Sequence, residues 1–272
     1  MEKLDLPYRL VFEGQSVAWG MLGQGDPLVL IHGTPFSSQV WRNIAPYLAT
    51  RNTVYYFDLL GYGQSDKREG QDVSLAVQNR LLAHLFVAWG LDRPSVLCHD
   101  FGGTTALRAY YLNGLRYRDI TLFDAVALSP WGSPFVAHVR AHEAAFAGLP
   151  GYAHEALVAA YVQSAAHKTL RPEVIDIYSD PWSGEIGQPA FYRQIAQMDQ
   201  AYTDEIEPLY GPLDCPTQIL WGARDDWVPL DRGRRLADLL TGGRFWVIPD
   251  AGHLMQEDAP EAIVAAVLSP HW

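Results

Sequence analysis

Asp100 sits in Cys98-His99-Asp100-Phe101-Gly102-Gly103, between the apolar run Ser95-Val96-Leu97 and the helix-like segment Thr104-Thr105-Ala106-Leu107-Arg108. Strand, tight turn, then helix is the setting of a nucleophile elbow, which usually carries Ser between small residues. A carboxylate there needs no base to ionise it at neutral pH. It suits displacement of a leaving group at saturated carbon and suits amide opening poorly. His253, in Pro249-Asp250-Ala251-Gly252-His253 after the last predicted strand, supplies a base. A carboxylate must orient that imidazole.

Those residues need a sheet to present them. Tyr8 to Glu13 and Val17 to Leu22 read as a hairpin around Gly14. Leu28 to Ile31 is a short, fully apolar run, as in a strand buried on both faces. Ser38 to Ala49 reads as a helix, Thr53 to Phe57 as a strand, and Val73 to Trp89 as a helix stopped by Gly90. The elbow strand and its helix follow, then a strand around Ile120 to Leu128. Alternation resumes at Thr217 to Trp221, Leu230 to Leu240, Arg244 to Ile248 and Ala259 to Leu268. This predicts an α/β fold, a mostly parallel, doubly wound sheet covered by helices. Between them, helix-like segments broken by Gly and Pro hold much of the aromatic content. The expected division is a core of 1–130 and 214–272, with a helical cap, or lid, over 131–213.

The 272 residues are 49% apolar, enough for one sizeable core. With 20 basic and 31 acidic side chains the formal charge is −11, which lacks the basic excess needed to neutralise phosphates. Nucleic acid and membrane surfaces are therefore not expected partners, and no apolar run is long enough to span a bilayer. Two cysteines, Cys98 and Cys215, and a charged start at Met1-Glu2-Lys3-Leu4-Asp5 fit a reducing, cytoplasmic setting. His154-Glu155 lacks the second histidine of a zinc helix, so neither metal nor cofactor is expected. A homodimer is left open.

Further motifs carry a resemblance. His32-Gly33-Thr34-Pro35 matches an HGxP loop, and Asp58-Leu59-Leu60-Gly61-Tyr62-Gly63-Gln64-Ser65 a DxxGxGxS turn. With the elbow and His253, over essentially the whole length, the chain resembles the α/β-hydrolase superfamily. Within it, it resembles the Asp-nucleophile branch of epoxide hydrolases and haloalkane or fluoroacetate dehalogenases. The resemblance implies that Asp100 forms an alkyl-enzyme ester, that His253 activates water against it, and that the N–H groups of Thr34 and Phe101 form an oxyanion hole. It favours Asp225, in a GxxDxxVP setting, as the acid, with Asp124 as the alternative.

Leaving-group support separates the branches. Phe101 stands where haloalkane dehalogenases carry a Trp donor and fluoroacetate dehalogenases an Arg. Epoxide hydrolases use lid phenols. Ala190-Phe191-Tyr192-Arg193 resembles their tyrosine–arginine motif, which makes Tyr192 the first choice and Tyr161 the second, with Trp131 as a pocket wall. Epoxide opening to a diol, on a small apolar or aryl-containing substrate, is the expected function. Dehalogenation is the alternative, and ligand binding without turnover on a hydrolase fold is the rival from another class.

Overall fold

The computed structural model describes residues 3–269. Eight strands form one sheet: β1 Tyr8–Phe12, β2 Gln15–Leu22, β3 Asp26–Ile31, β4 Asn52–Phe57, β5 Ser95–His99, β6 Ile120–Phe123, β7 Thr217–Gly222 and β8 Trp246–Ile248. Their order is β1-β2-β4-β3-β5-β6-β7-β8. Only the hairpin end, β1 with β2 and β2 with β4, is antiparallel. The helices are α1 Ala45–Leu48, α2 Leu75–Trp89, α3 Phe101–Asn113, α4 Pro134–Ala147, α5 Gly151–Ala165, α6 Pro172–Ser179, α7 Gly184–Ala196, α8 Ala201–Asp204, α9 Leu230–Thr241, α10 Met255–Asp258 and α11 Pro260–Leu268.

The apolar strands lie where their composition demands. All of β5, β6 and β7 is buried, because helices cover both faces. Gly90 ends α2 in the left-handed conformation at φ 65°, as expected of a C-terminal stop. The helix expected over 38–49 is broken instead. A 3-10 turn at Ser38–Trp41 and the short α1 replace it, because Pro46 lacks a donor N–H and the Ser38 N–H goes to Asp58 Oδ1 at 2.7 Å. The β6 strand also stops at Phe123, short of Leu128, because Asp124 turns to φ 45°.

From β6 to β7 the chain makes α4 to α8 and no strand. Parallel pairing sets Ile31 beside Cys98 and His99 beside Phe123. The loops carrying Thr34, Asp100 and Asp124 therefore emerge together at the carboxyl edge of the sheet, joined by those after β7 and β8. That edge is where open α/β sheets bind ligands. No helix among the described residues is long and apolar enough to cross a membrane.

Candidate active site

The turn after β5 holds Asp100 at φ 53° and ψ −122°, a conformation that costs on the order of 1–3 kcal/mol for a residue with a Cβ. Small neighbours make the turn sterically feasible. A Cβ on Gly33 would lie 2.3 Å from Asp100 Cβ, and one on Gly102 would lie 2.2 Å from the Ile31 carbonyl oxygen. The carboxylate is almost fully buried. Its Oδ1 accepts the Thr34 N–H at 2.7 Å. The Phe101 N–H is the first of α3, where helix geometry leaves amides without an intrahelical acceptor.

The neighbouring loop is fixed by its own motif residues. His32 Nε2 accepts the Leu59 N–H at 2.9 Å, so Nδ1 carries the proton and donates to the Gly33 carbonyl at 2.9 Å. Asp58 accepts from the backbone of Ser38 and Gln64, each at 2.7 Å. These bonds tie the Gly33–Thr34 backbone to the sheet and aim the Thr34 N–H at Asp100.

His253 lies between two carboxylates. Its Nδ1 is 2.9 Å from Asp225 Oδ2, and its Nε2 is 3.3 Å from Asp100 Oδ2. The second contact is an ion pair without hydrogen-bond geometry, so Nε2 has no hydrogen-bond partner among the described residues. Asp225 Oδ1 in turn accepts the N–H groups of Trp227 and Val228, both at 2.8 Å. Burial opposes charge on His253, but Asp225 and then Asp100 outweigh it and hold the imidazole pKa well above its ordinary value. Behind it, His99 Nε2 donates to the His253 carbonyl at 2.8 Å. Burial, with the neighbouring His253, pushes His99 down to about 3, so it stays neutral.

Asp124 comes to the same cluster but does not reach the imidazole. Its Oδ1 accepts the Gly222 N–H at 2.8 Å. Full burial, and then the neighbouring Asp225 carboxylate, raise its pKa well above the ordinary 3.8. Burial thus favours the protonated form of Asp124. The sign for stability follows. A carboxyl that is neutral when folded and ionised when unfolded costs up to about 1.4 kcal/mol per pH unit above the unfolded pKa, until the folded pKa is reached. Asp124→Asn keeps an acceptor for Gly222 and a donor towards Asp225. Its melting temperature is expected to match wild type near pH 4 and to exceed it increasingly as pH rises. Its turnover should stay within a few-fold of wild type, whereas Asp225→Asn, which alters the carboxylate on Nδ1, should lose about 10⁴-fold in kcat. Thermal melts across pH and steady-state rates check both.

A cavity of about 50 Å³ opens on Asp100. Thr34, Phe101, Trp131, Tyr161 and Trp227 wall it, with Val126, Val136, Met198 and Val228 adding apolar surface. Trp131 meets Phe101 edge-on at 5.4 Å. Trp227, which sequence reasoning passed over, stacks on His253 at 5.0 Å and on Tyr161 at 4.6 Å. Its position two residues beyond Asp225 is the signal that could have found it. Tyr161 is half-buried, and no hydrogen bond among the described residues holds its hydroxyl. Burial first, then the Asp100 charge, push its pKa up. Tyr192 is not brought to this cavity. It faces α5, where its hydroxyl meets His154 Nδ1 at 2.8 Å. Among the described residues, no cluster of three His, Cys, Asp or Glu side chains could hold a metal.

A model of the alpha/beta hydrolase fold matches residues 26–260. The chain belongs to the α/β-hydrolase family. A crystal structure of an alpha/beta hydrolase fold protein from Burkholderia ambifaria is 57% identical, covers 98% of each chain and superposes with a TM-score of 0.97. A soluble epoxide hydrolase from Corynebacterium sp. (strain C12) is 38% identical over 39% of this α/β-hydrolase and 37% of its own length. A haloalkane dehalogenase from Mycolicibacterium smegmatis is 33% identical over 36% of this chain and 32% of its own.

Proposed function

We propose that this α/β-hydrolase opens small epoxides to diols through a covalent ester on Asp100. The observation that carries the reading is the Asp100 carboxylate itself, with Oδ1 on the Thr34 N–H at 2.7 Å and Oδ2 facing the His253 imidazole at 3.3 Å. Asp100 Oδ2 attacks a ring carbon, the C–O bond breaks, and its electron pair goes to the ring oxygen. Tyr161, on the cap formed by 131–213, gives that oxygen a proton. Esterification removes the Asp100 charge, so the His253 imidazolium becomes more acidic and its proton restores Tyr161.

Neutral His253, oriented by Asp225, then takes a proton from water as the water oxygen adds to the Asp100 carbonyl carbon. The resulting oxyanion is held by the Thr34 and Phe101 N–H groups. Collapse breaks the ester bond to the substrate, the second hydroxyl takes the proton of the new carboxylic acid, and Asp100 and His253 return to their charged states.

Epoxide is favoured over halide by the donors at the cavity. Trp131 Nε1–H goes to Thr203 Oγ1 at 2.8 Å and Trp227 Nε1–H to Ser164 Oγ at 3.1 Å, so both indoles are engaged away from Asp100. Phe101 has no donor to offer a halide. The Tyr161 phenol lines the cavity with its hydroxyl held by no hydrogen bond among the described residues. A cavity of about 50 Å³ takes only the smallest epoxides unless the cap helices move, which sets the expected substrate as small and largely apolar.

A panel of small aliphatic and aryl epoxides, run beside haloalkanes and haloacids, tests this. Diol from epoxides without halide release is expected, and Tyr161→Phe should slow diol formation by about 100-fold. Halide release with no diol would assign the site to dehalogenation. Tight ligand binding with no product at all would remove the enzyme reading.

A further inference from the structure

The Trp227 indole is half-buried in the cavity wall, and contacts from the acid, the base and the cap converge on it. Its backbone N–H goes to Asp225 Oδ1 at 2.8 Å. Its ring lies 5.0 Å from the His253 imidazole and 27° from parallel to it. The Tyr161 ring stacks on the indole at 4.6 Å, and Phe36, just past the HGxP loop, at 6.4 Å. The indole Nε1–H goes to Ser164 Oγ at 3.1 Å, on the same helix as Tyr161. The backbone N–H would be there for almost any residue type, so what tryptophan adds is the ring.

An aromatic face attracts a cation within about 6 Å of its centroid, and indole does so most strongly. The charged imidazole of His253 is such a cation at 5.0 Å, whereas the neutral ring gains only packing. A contact that differs between two forms shifts the equilibrium between them. The titratable groups that also act on this ring are Asp225 on the loop after β7, Asp100 and His99 at the end of β5, and Asp124 after β6. The Asp100 charge disappears when an ester forms on it. The indole carries no charge and is the same through both steps.

We infer that Trp227 is a positioning residue, whose ring face favours the charged form of His253 and fixes the tilt of the imidazole. The consequence for turnover rests on the epoxide reading above and deepens it. The Asp225 bond holds Nδ1 but leaves the ring free to tilt about that bond. The stacked indole removes this freedom and keeps Nε2 directed at Asp100. Favouring the charged form also makes the neutral ring a stronger base when water attacks the ester. Trp227 therefore acts chiefly on ester hydrolysis, where His253 takes the proton of water, and less on ester formation, where Asp100 attacks without a base.

The experiment compares wild type with Trp227→Leu and Trp227→Phe, and with Ser164→Ala, which removes the acceptor of the indole N–H and leaves the ring. Every variant keeps the backbone N–H on Asp225. His253 is titrated by NMR in the resting enzyme, and ester formation and hydrolysis are followed by rapid quench across pH. Trp227→Leu is expected to lower the His253 midpoint by about one pH unit, Trp227→Phe by less, and Ser164→Ala not at all. The high-pH rate of ester hydrolysis should fall about tenfold in the Leu variant and recover in large part with Phe, while ester formation changes less. An unchanged midpoint in the Leu variant overturns the inference. So does a raised one, which would mean that the indole acts only by keeping water from the imidazole. Equal shifts with Leu and Phe also overturn it, because the aromatic face would then contribute nothing. If the Leu variant does not fold, the Phe variant decides: a lowered midpoint upholds the inference, and an unchanged or raised one overturns it. If wild type opens no epoxide, the hydrolysis arm falls with that reading, and the titration alone upholds or overturns the role of the ring face.

Discussion

Asp100→Ala is expected to abolish turnover, by about 10⁴-fold or more in kcat, while the protein keeps its fold and its affinity for product-like ligands. On the proposed route this variant loses the covalent nucleophile and with it every later step, and such losses in other hydrolases reach or exceed this size. The fold should survive. The strained backbone at φ 53° carries its cost whatever side chain it bears, and alanine removes a buried charge along with its Thr34 bond. Asp100→Asn is the stricter variant. It keeps the shape and the Thr34 contact but replaces an anionic oxygen with a neutral amide. Matched circular dichroism and a rate at background level are the expected pair of results. Near-wild-type turnover by either variant would place the chemistry elsewhere.

His253→Gln has the second large effect and a different signature. On the proposed route ester formation requires Asp100, but ester hydrolysis requires a base at Nε2, which this variant lacks. Steady-state turnover is expected to fall by about 10⁴-fold, and the alkyl ester should accumulate on the peptide containing Asp100. Wild type adds a pH signature. In the resting enzyme Asp225 and Asp100 overcome burial and raise the His253 pKa well above its ordinary 6.5, which favours the charged imidazole. In the ester the Asp100 charge is gone, leaving Asp225 alone against burial. The hydrolysis rate should therefore rise with pH through a midpoint lower than that of His253 in the free enzyme. The same raised pKa stabilises the resting fold most fully below the ordinary value of 6.5 and less as pH climbs through the folded value. Rapid-quench kinetics and NMR titration of the imidazole give the two midpoints, and equal midpoints would contradict the electrostatic account.

The elbow is legible in sequence because its geometry restricts residue type. Only glycine fits at 33 and 102 once Asp100 is turned inward, so spacing alone points to the carboxylate. The sheet is legible for a similar reason, since strands buried on both faces must be continuously apolar. The choice between Asp225 and Asp124 is not. Both follow adjacent parallel strands, and β6 pairs with β7 in a register that sets Phe123 beside Leu220, so both side chains reach the same cluster. Only coordinates distinguish the carboxylate on Nδ1 from the acid bonded to Gly222.

Tyr192 shows the limit for helices. A tyrosine on α7 faces one of several neighbours, and which one depends on how α5 packs beside it. His154 takes the hydroxyl in this fold. Tyr161, on α5 and stacked on Trp227, faces the cavity instead. Gln194 follows the motif Ala190-Phe191-Tyr192-Arg193 directly, and its place beside Thr34 and Tyr62 comes from α7 lying over the HGxP loop, a tertiary contact that local spacing does not encode.

The most direct measurement is a single turnover in water enriched in heavy oxygen, with enzyme in excess over an epoxide that wild type converts. Along the ester route water attacks the Asp100 carbonyl carbon, so the first diol released carries only light oxygen from the carboxylate. The label should appear in the Asp100 peptide. Heavy oxygen in that first diol, with none in the Asp100 peptide, would mean that water strikes the substrate directly and that no ester forms.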